Sequence, residues 1–217
     1  MSETRTPPRF DAEFRAEFVE LLRWRRDVRR FRADPIPVSL IEKLLALAAL
    51  APSVGLSQPW RFILVETPER RAAIRENFAH ANASALEGYA GERQARYARL
   101  KLEGLSQAPV HLAVCADETT AQGHGLGRKT MPETLRYSVV AAIQTLWLAA
   151  RAEGLGVGWV SILDPAEACA ILDLPPAWSF VAYLCLGWPE EEHDDPELER
   201  HGWEQRACEA SVTPLKR

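Results

Sequence analysis

The chain has 217 residues, 47% of them hydrophobic and 26% charged, with a net charge of −4; that is enough for one domain burying roughly 70% of its unfolded surface without staples, and nothing in the overall charge suggests a DNA-binding protein. No stretch reaches the roughly 20 apolar residues of a membrane span, and the first residues carry charges and prolines where a signal peptide needs an apolar run. Cys115, Cys169, Cys185 and Cys208 are widely spaced with no Cys-x-x-Cys pair, which fits free thiols in a reducing compartment and an expected cytoplasmic location.

Residues 1–9 are expected to be a disordered tail before a single domain over 10–217. Asp11 is the expected N-cap of a helix whose Phe14, Phe18, Leu21 and Leu22 share one face. That helix delivers the stretch Arg23-Trp24-Arg25-Arg26-Asp27-Val28-Arg29-Arg30-Phe31-Arg32, six arginines and one aspartate in ten residues. Guanidinium forks match phosphate oxygens, so a converging set can hold a dianion. A helix C-terminus is the negative pole, so side chains and not the dipole must do the holding. Such a run is also consistent with a solvated face or a nucleic-acid patch. Asp27 should repel a phosphate; either it pairs with an arginine or it faces another part of the ligand for a chemical reason.

After the break at Asp34-Pro35-Ile36-Pro37, Ser39 and Glu42 read as a capping box opening an apolar helix over 40–50. The loop Ser53-Val54-Gly55-Leu56-Ser57-Gln58-Pro59-Trp60 leads into an apolar run, 61–65, expected to be a central strand. Its position between helix and strand suits ligand contact, and an ordinary turn with Trp60 in the core fits as well. Thr67 and Pro68 start a helix expected to reach about residue 78. The section 79–107 is polar, basic in patches and partly aromatic, and reads as a half-buried helical insertion able to serve as a lid.

A second strand is expected over 109–116, then a glycine-rich connection. Gly123 to Thr130 is no P-loop: three residues separate its glycines where four are needed, and Arg128 intervenes before the lysine. Residues 134–151 form a helix apolar almost all round, which something must bury, either the core or a second subunit. Gly154 suits the residue after a helix end. Gly154-Leu155-Gly156-Val157-Gly158 follows a helix and precedes a strand, the reverse of a dinucleotide fingerprint. The third strand, 157–163, carries one hydroxyl, Ser161. Asp164 and Pro165 open another helix, 179–187 forms the fourth strand, and 188–217 is an extension expected to wrap another surface. The five histidines show no metal-ligand spacing, so no metal is expected.

Three of these pieces, Arg25-Arg26-Asp27-Val28-Arg29, Pro52-Ser53 with Ser57-Gln58-Pro59-Trp60, and Gly154 to Ser161, together resemble the flavin-binding nitroreductase superfamily. Within it the chain is most similar to the 5,6-dimethylbenzimidazole synthase (BluB) family, over nearly all of 10–206. Ordinary nitroreductases usually carry Arg-Arg-Ser where this chain has Asp27, and an Asn where it has Leu56; the synthases resemble it at both places and have a helical lid, matching 79–107.

The resemblance implies an α+β fold, a nitroreductase-like mixed sheet flanked by helices, in an intertwined homodimer with two FMN sites at the interface. It implies that Arg25, Arg26 and Arg29, in a motif with Asp27 and Val28, hold the flavin phosphate, with Ser53 on the adjoining loop, Ser161 beside the ring, backbone near Leu102 completing the pocket, and Arg206 as another phosphate contact. The implied substrate is reduced FMN, fragmented with O2 into 5,6-dimethylbenzimidazole, the lower ligand of vitamin B12, and D-erythrose 4-phosphate, with a separate flavin reductase as supplier and no metal, nucleic acid or membrane. Asp27 is then a candidate base or proton shuttle, or an orienter of arginine. Ser161 is a candidate hydrogen bonder at the ring, or a buried strand serine. A lid would exclude nicotinamide and water. The competing readings are an NAD(P)H-dependent nitroreductase or flavin reductase, and a non-catalytic flavin carrier or RNA-binding module.

Overall fold

The computed structural model describes residues 6–207. Cys208 and the end of the predicted C-terminal extension lie outside them, as does most of the predicted tail, whose residues 6–9 are irregular and exposed. The architecture is α+β. Four strands, β1 (Trp60–Leu64), β2 (Val110–Asp117), β3 (Gly156–Val160) and β4 (Trp178–Gly187), pair in the order β1-β2-β4-β3. All three ladders are antiparallel; the sheet becomes mixed through a parallel bridge from Asp27 to Val157 at the β3 edge.

The central strands explain the two-faced core. Alternate residues of a strand point to opposite faces. Leu112, Val114, Leu184 and Leu186 therefore join helices α2 (Val38–Ala48) and α5 (Thr134–Ala152) on one side. Ala113, Tyr183 and Cys185 face Phe31, Leu105, Ile74 of α3 (Pro68–Glu87) and Ala168 of α6 (Pro165–Ile171) on the other. A buried hydrogen bond, 3.0 Å from His111 Nδ1 to Tyr183 Oη, ties β2 to β4 on this second face.

Local signals set several helix starts. Asp11 caps α1 (Ala12–Trp24) by accepting from Phe14 N–H at 2.8 Å, and Asp164 accepts from Ala166 and Glu167 N–H at the start of α6. Gly154, at φ +77°, ends α5: its own N–H donates to Arg151 and that of Leu155 to Ala150, the left-handed stop that favours glycine.

Four expectations are corrected. The Ser39–Glu42 capping box does not form, because α2 starts earlier: the Leu40 and Ile41 N–H groups already donate to the Pro37 carbonyl, so Ser39 is inside the first turn. β1 is an edge strand among the described residues; its apolar run comes from packing beneath a helix layer, which an edge position also permits. Helix α3 continues past residue 78 to Glu87, taking up the first part of the predicted insertion, whose remainder is α4 (Gly91–Tyr97) and a turn-rich segment. β3 stops at Val160, so Ser161 is an exposed residue beyond the strand. Helix α5 is in the core on one side of the protomer, through Leu146 and Ile143, as expected, while Tyr137 and Val140 are exposed on its other side.

A candidate anion-binding crevice

From Arg25 on, the arginine-rich stretch leaves α1 and is stitched first to β3 and then to the chain just after β4. Val28 N–H donates to the Val157 carbonyl at 3.0 Å, and Arg32 N–H to that of Trp188 at 2.8 Å. Gly156 and Gly158 make this approach feasible, since a Cβ on Gly158 would lie 2.2 Å from the Val28 carbonyl oxygen and one on Gly156 2.7 Å from the Val28 side chain. The glycine pattern therefore serves backbone contact with the arginine segment. Phe31, 1% exposed, anchors the far end. Its ring fills a slot in which a Cβ on Gly104 would come within 2.3 Å and one on Gly187 within 2.8 Å. The segment is thus held taut between the end of α1 and a buried aromatic pin.

Ion pairing sorts the six arginines. Arg23 pairs with Glu20, Arg29 with Asp27, Arg30 with Glu197 and Arg32 with Asp34. Arg25 and Arg26 have no carboxylate partner among the described residues. Arg25 lies over the Trp147 ring, 4.9 Å from its centroid, and Trp147 Nε1 donates to the Arg26 carbonyl at 3.2 Å. Arg26 donates from Nε at 3.0 Å, and from Nη2, to the backbone carbonyl of Asp194. Burial lowers the pKa of both guanidiniums and the charge of Arg206 lowers both further, while Asp27 works against this at Arg25, and Asp194 and Asp195 do so at Arg26. Like charges held together in a partly desolvated place favour an anion between them. They line an open crevice with Asp27, Arg29 and Trp147, and four carboxylates of the chain after β4, Glu191, Glu192, Asp195 and Glu197, line it too.

Asp27 is fully engaged. Its Oδ2 accepts from Arg29 Nε and its Oδ1 from Trp159 N–H, each at 2.8 Å. Burial nevertheless outweighs both partners and raises its pKa above the usual carboxylate value. Partial burial makes this carboxylate a stronger base than a solvated one although its two donors pull the other way, and those donors hold it in one orientation.

The other predicted residues divide. Arg25, Arg26, Asp27, Val28 and Arg29 come together, and Arg206 is near enough for its charge to bear on Arg25 and Arg26. The Leu102 segment adjoins them, because Arg29 Nη1 donates to the Lys101 carbonyl at 2.7 Å. Ser161 follows β3 two residues after Trp159, with its side chain exposed. Ser53 is elsewhere: its Oγ accepts from Gln58 N–H, and the adjacent Val54 N–H donates to Ser138 Oγ near the start of α5. From Ser138 to Trp147 is about 13 Å along the helix axis. Sequence reasoning missed Trp147, the Lys101 and Asp194 carbonyls and Phe31; only the Gly-x-Gly pattern at 156–158 hinted that another backbone lies close.

Comparisons with known proteins bear on this arrangement. Residues 22–188 match the nitroreductase family. The chain is 62% identical over 202 residues to a 5,6-dimethylbenzimidazole synthase of Rhodospirillum rubrum, covering 93% of this chain and 96% of that protein. It is 52% identical to a 5,6-dimethylbenzimidazole synthase of Rhodobacter capsulatus, covering 90% and 95%. Its fold is similar to that of an iodotyrosine deiodinase solved with FMN and 3-iodo-L-tyrosine, with a TM-score of 0.71, 23% identity and coverage of 92% and 98%.

Proposed function

This chain belongs to the nitroreductase family and, within it, to the branch of the 5,6-dimethylbenzimidazole synthases, and from that premise we propose that it takes reduced FMN as substrate and, with O2, fragments it to 5,6-dimethylbenzimidazole and D-erythrose 4-phosphate. One observation carries the reading: a single crevice sets Arg25 and Arg26, which have no ion-pair partner among the described residues, beside the Asp27 carboxylate, whose pKa is raised. Cations that repel one another and a poised base suit a phosphate-bearing substrate that must also lose protons. The residues present thus fit FMN.

In this reading Arg25, Arg26 and Arg206 grip the phosphate. Arg29 uses Nε and Nη1 within the protein and contributes a further donor while holding Asp27 in place. The dihydroflavin ring itself supplies the electrons for oxygen chemistry, so no metal is needed. Asp27 takes a proton near the ribityl carbons, its basicity raised by burial and its direction fixed by Arg29 and Trp159. Ser161, exposed at the end of β3, hydrogen-bonds at the ring. The segment 79–107 closes over the ring and excludes water and nicotinamide, so a separate reductase delivers the reduced flavin. Two chains form the working unit in this reading: Ser53, held beside Ser138 at the opposite end of α5 from Trp147, serves the crevice of the partner chain.

The test is chemical. FMN photoreduced in the presence of stoichiometric protein without oxygen is mixed with oxygenated buffer, and the products are identified by mass spectrometry. Dimethylbenzimidazole is expected. Recovery of intact oxidised FMN alone, together with rapid bleaching of bound flavin by NADH or NADPH, would replace this reading with a nicotinamide-dependent flavin reductase.

A further inference from the structure

The described chain after β4, residues 188–207, crosses the crevice and reaches the insertion. Its first part is fixed to the arginine segment, with Arg26 bonded to the Asp194 carbonyl and Arg30 paired with Glu197 at 2.6 Å. The short helix α7 (Glu197–Arg200) then stops at Gly202, φ +66°. Gly202 N–H donates to Glu199 and Trp203 N–H to Leu198, each at 2.9 Å, a helix stop that turns the chain sharply. The turn sends Trp203 into an aromatic slot on the insertion. The stacked rings of Tyr89 and Tyr97 have centroids 5.0 Å apart, and the indole meets them edge-on at 5.3 and 6.0 Å. Arg93 lies over the indole, and Arg96 Nη1 donates to the Gly202 carbonyl at 3.0 Å. The slot is itself anchored, since Tyr97 is buried and its hydroxyl donates to Asn82 Oδ1 of α3 at 2.8 Å.

Three residues beyond Trp203 comes Arg206, exposed, whose backbone N–H is held by the Glu199 carboxylate of α7, the short helix that Glu197 ties to Arg30 in the arginine segment; its charge bears on Arg25 and Arg26. Three residues span at most about 10 Å, so the docking of Trp203 fixes where Arg206 can reach. We propose that Trp203 is a positioning residue: seated against Tyr89 and Tyr97, it holds Arg206 beside Arg25 and Arg26, so that the third arm of the phosphate grip depends on the insertion being closed. This rests on the flavin reading above and adds selectivity to it. Closure of the insertion and recognition of the phosphate become one event, and flavins without a phosphate gain nothing from it.

The affinities of the full chain for FMN and for riboflavin, which lacks the phosphate, are measured by quenching of flavin fluorescence. Trp203→Ala and Arg206→Ala are each expected to weaken FMN about tenfold, the scale of one charge-assisted hydrogen bond, and to change riboflavin less than about twofold. The double variant is expected to be no weaker than either single one, because both remove the same contact, and Trp203→Phe to stay within about threefold of the parent by refilling the slot. Equal weakening of both flavins by Trp203→Ala, or effects multiplying to about a hundredfold in the double variant, would reduce Trp203 to a general stabiliser and overturn the inference. Parent protein that binds FMN while Trp203→Ala binds it equally well would overturn this inference alone. A parent that binds neither flavin would overturn the flavin reading beneath it.

Discussion

In the reaction proposed above, Asp27 is the residue on which the chemistry turns, and its surroundings suit it to two jobs. It fixes Arg29 through Nε and is fixed by Trp159 N–H, and its raised pKa keeps it basic. Asp27→Asn preserves the size and can still accept from Trp159, but it removes the charge and sets an amide against Arg29. If the carboxylate moves a proton, product formed in a single turnover with reduced FMN and oxygen should fall about a hundredfold or more, with FMN affinity changed less than about threefold. The parent should also lose activity as pH falls through the raised pKa, because the deprotonated form is the active one. Product at the parent rate in the Asn variant would leave Asp27 only the task of orienting Arg29.

At the scale of elements, the sheet carries a titration of its own between β2 and β4. His111 is 1% exposed and bonded to the Tyr183 hydroxyl, and burial, aided by Arg71 and Arg75, lowers its pKa to about 4. The folded state therefore favours neutral imidazole, while the unfolded chain takes up a proton near pH 6.5. Stability is complete above that value and is lost as pH falls from about 6.5 towards 4. Between pH 7.5 and 5.0 the parent should lose about 2 kcal/mol more than His111→Gln in urea unfolding, by the linkage relation. Equal losses in the two proteins would assign the acid sensitivity to other groups. The sequence made such elements visible unevenly. Asp11 and Asp164 were legible because a cap is a contact between neighbours, as was Gly154 because a left-handed stop is local. Ser39 misled because proline at position 37 lets the helix begin sooner. The roles of Gly156 and Gly158 depend on Val28, more than a hundred residues earlier, and no local pattern records that distance; the same holds for Trp147 beneath Arg25 and for Phe31 in its glycine slot. The arginines themselves were conspicuous, but which of them lack a carboxylate partner is decided by residues such as Glu197 that only folding brings near.

For the whole molecule, the apolar face of α1 asks for a partner. Helix α1 has no buried residue, and Phe14, Phe18, Val19 and Leu22 are all 42–45% exposed. Phe10 stacks on Phe14 at 4.6 Å and extends the patch, while Tyr137 and Val140 leave α5 exposed as well. An amphipathic helix draws most of its stability from burying such a face, and contiguous apolar surface on this scale marks an interface. In the dimer proposed above, a second copy of the chain covers this face. Light scattering on the eluting protein should therefore give twice the chain mass of 24.3 kDa. Phe18→Glu, which puts a charge into the face without touching the arginine segment, should shift the mass to that of one chain and weaken FMN binding at least tenfold, since burying an unpaired carboxylate costs several kcal/mol. A parent that runs as a single chain and still binds FMN tightly would show that one protomer completes the crevice, and would leave the face of α1 without the role argued for it.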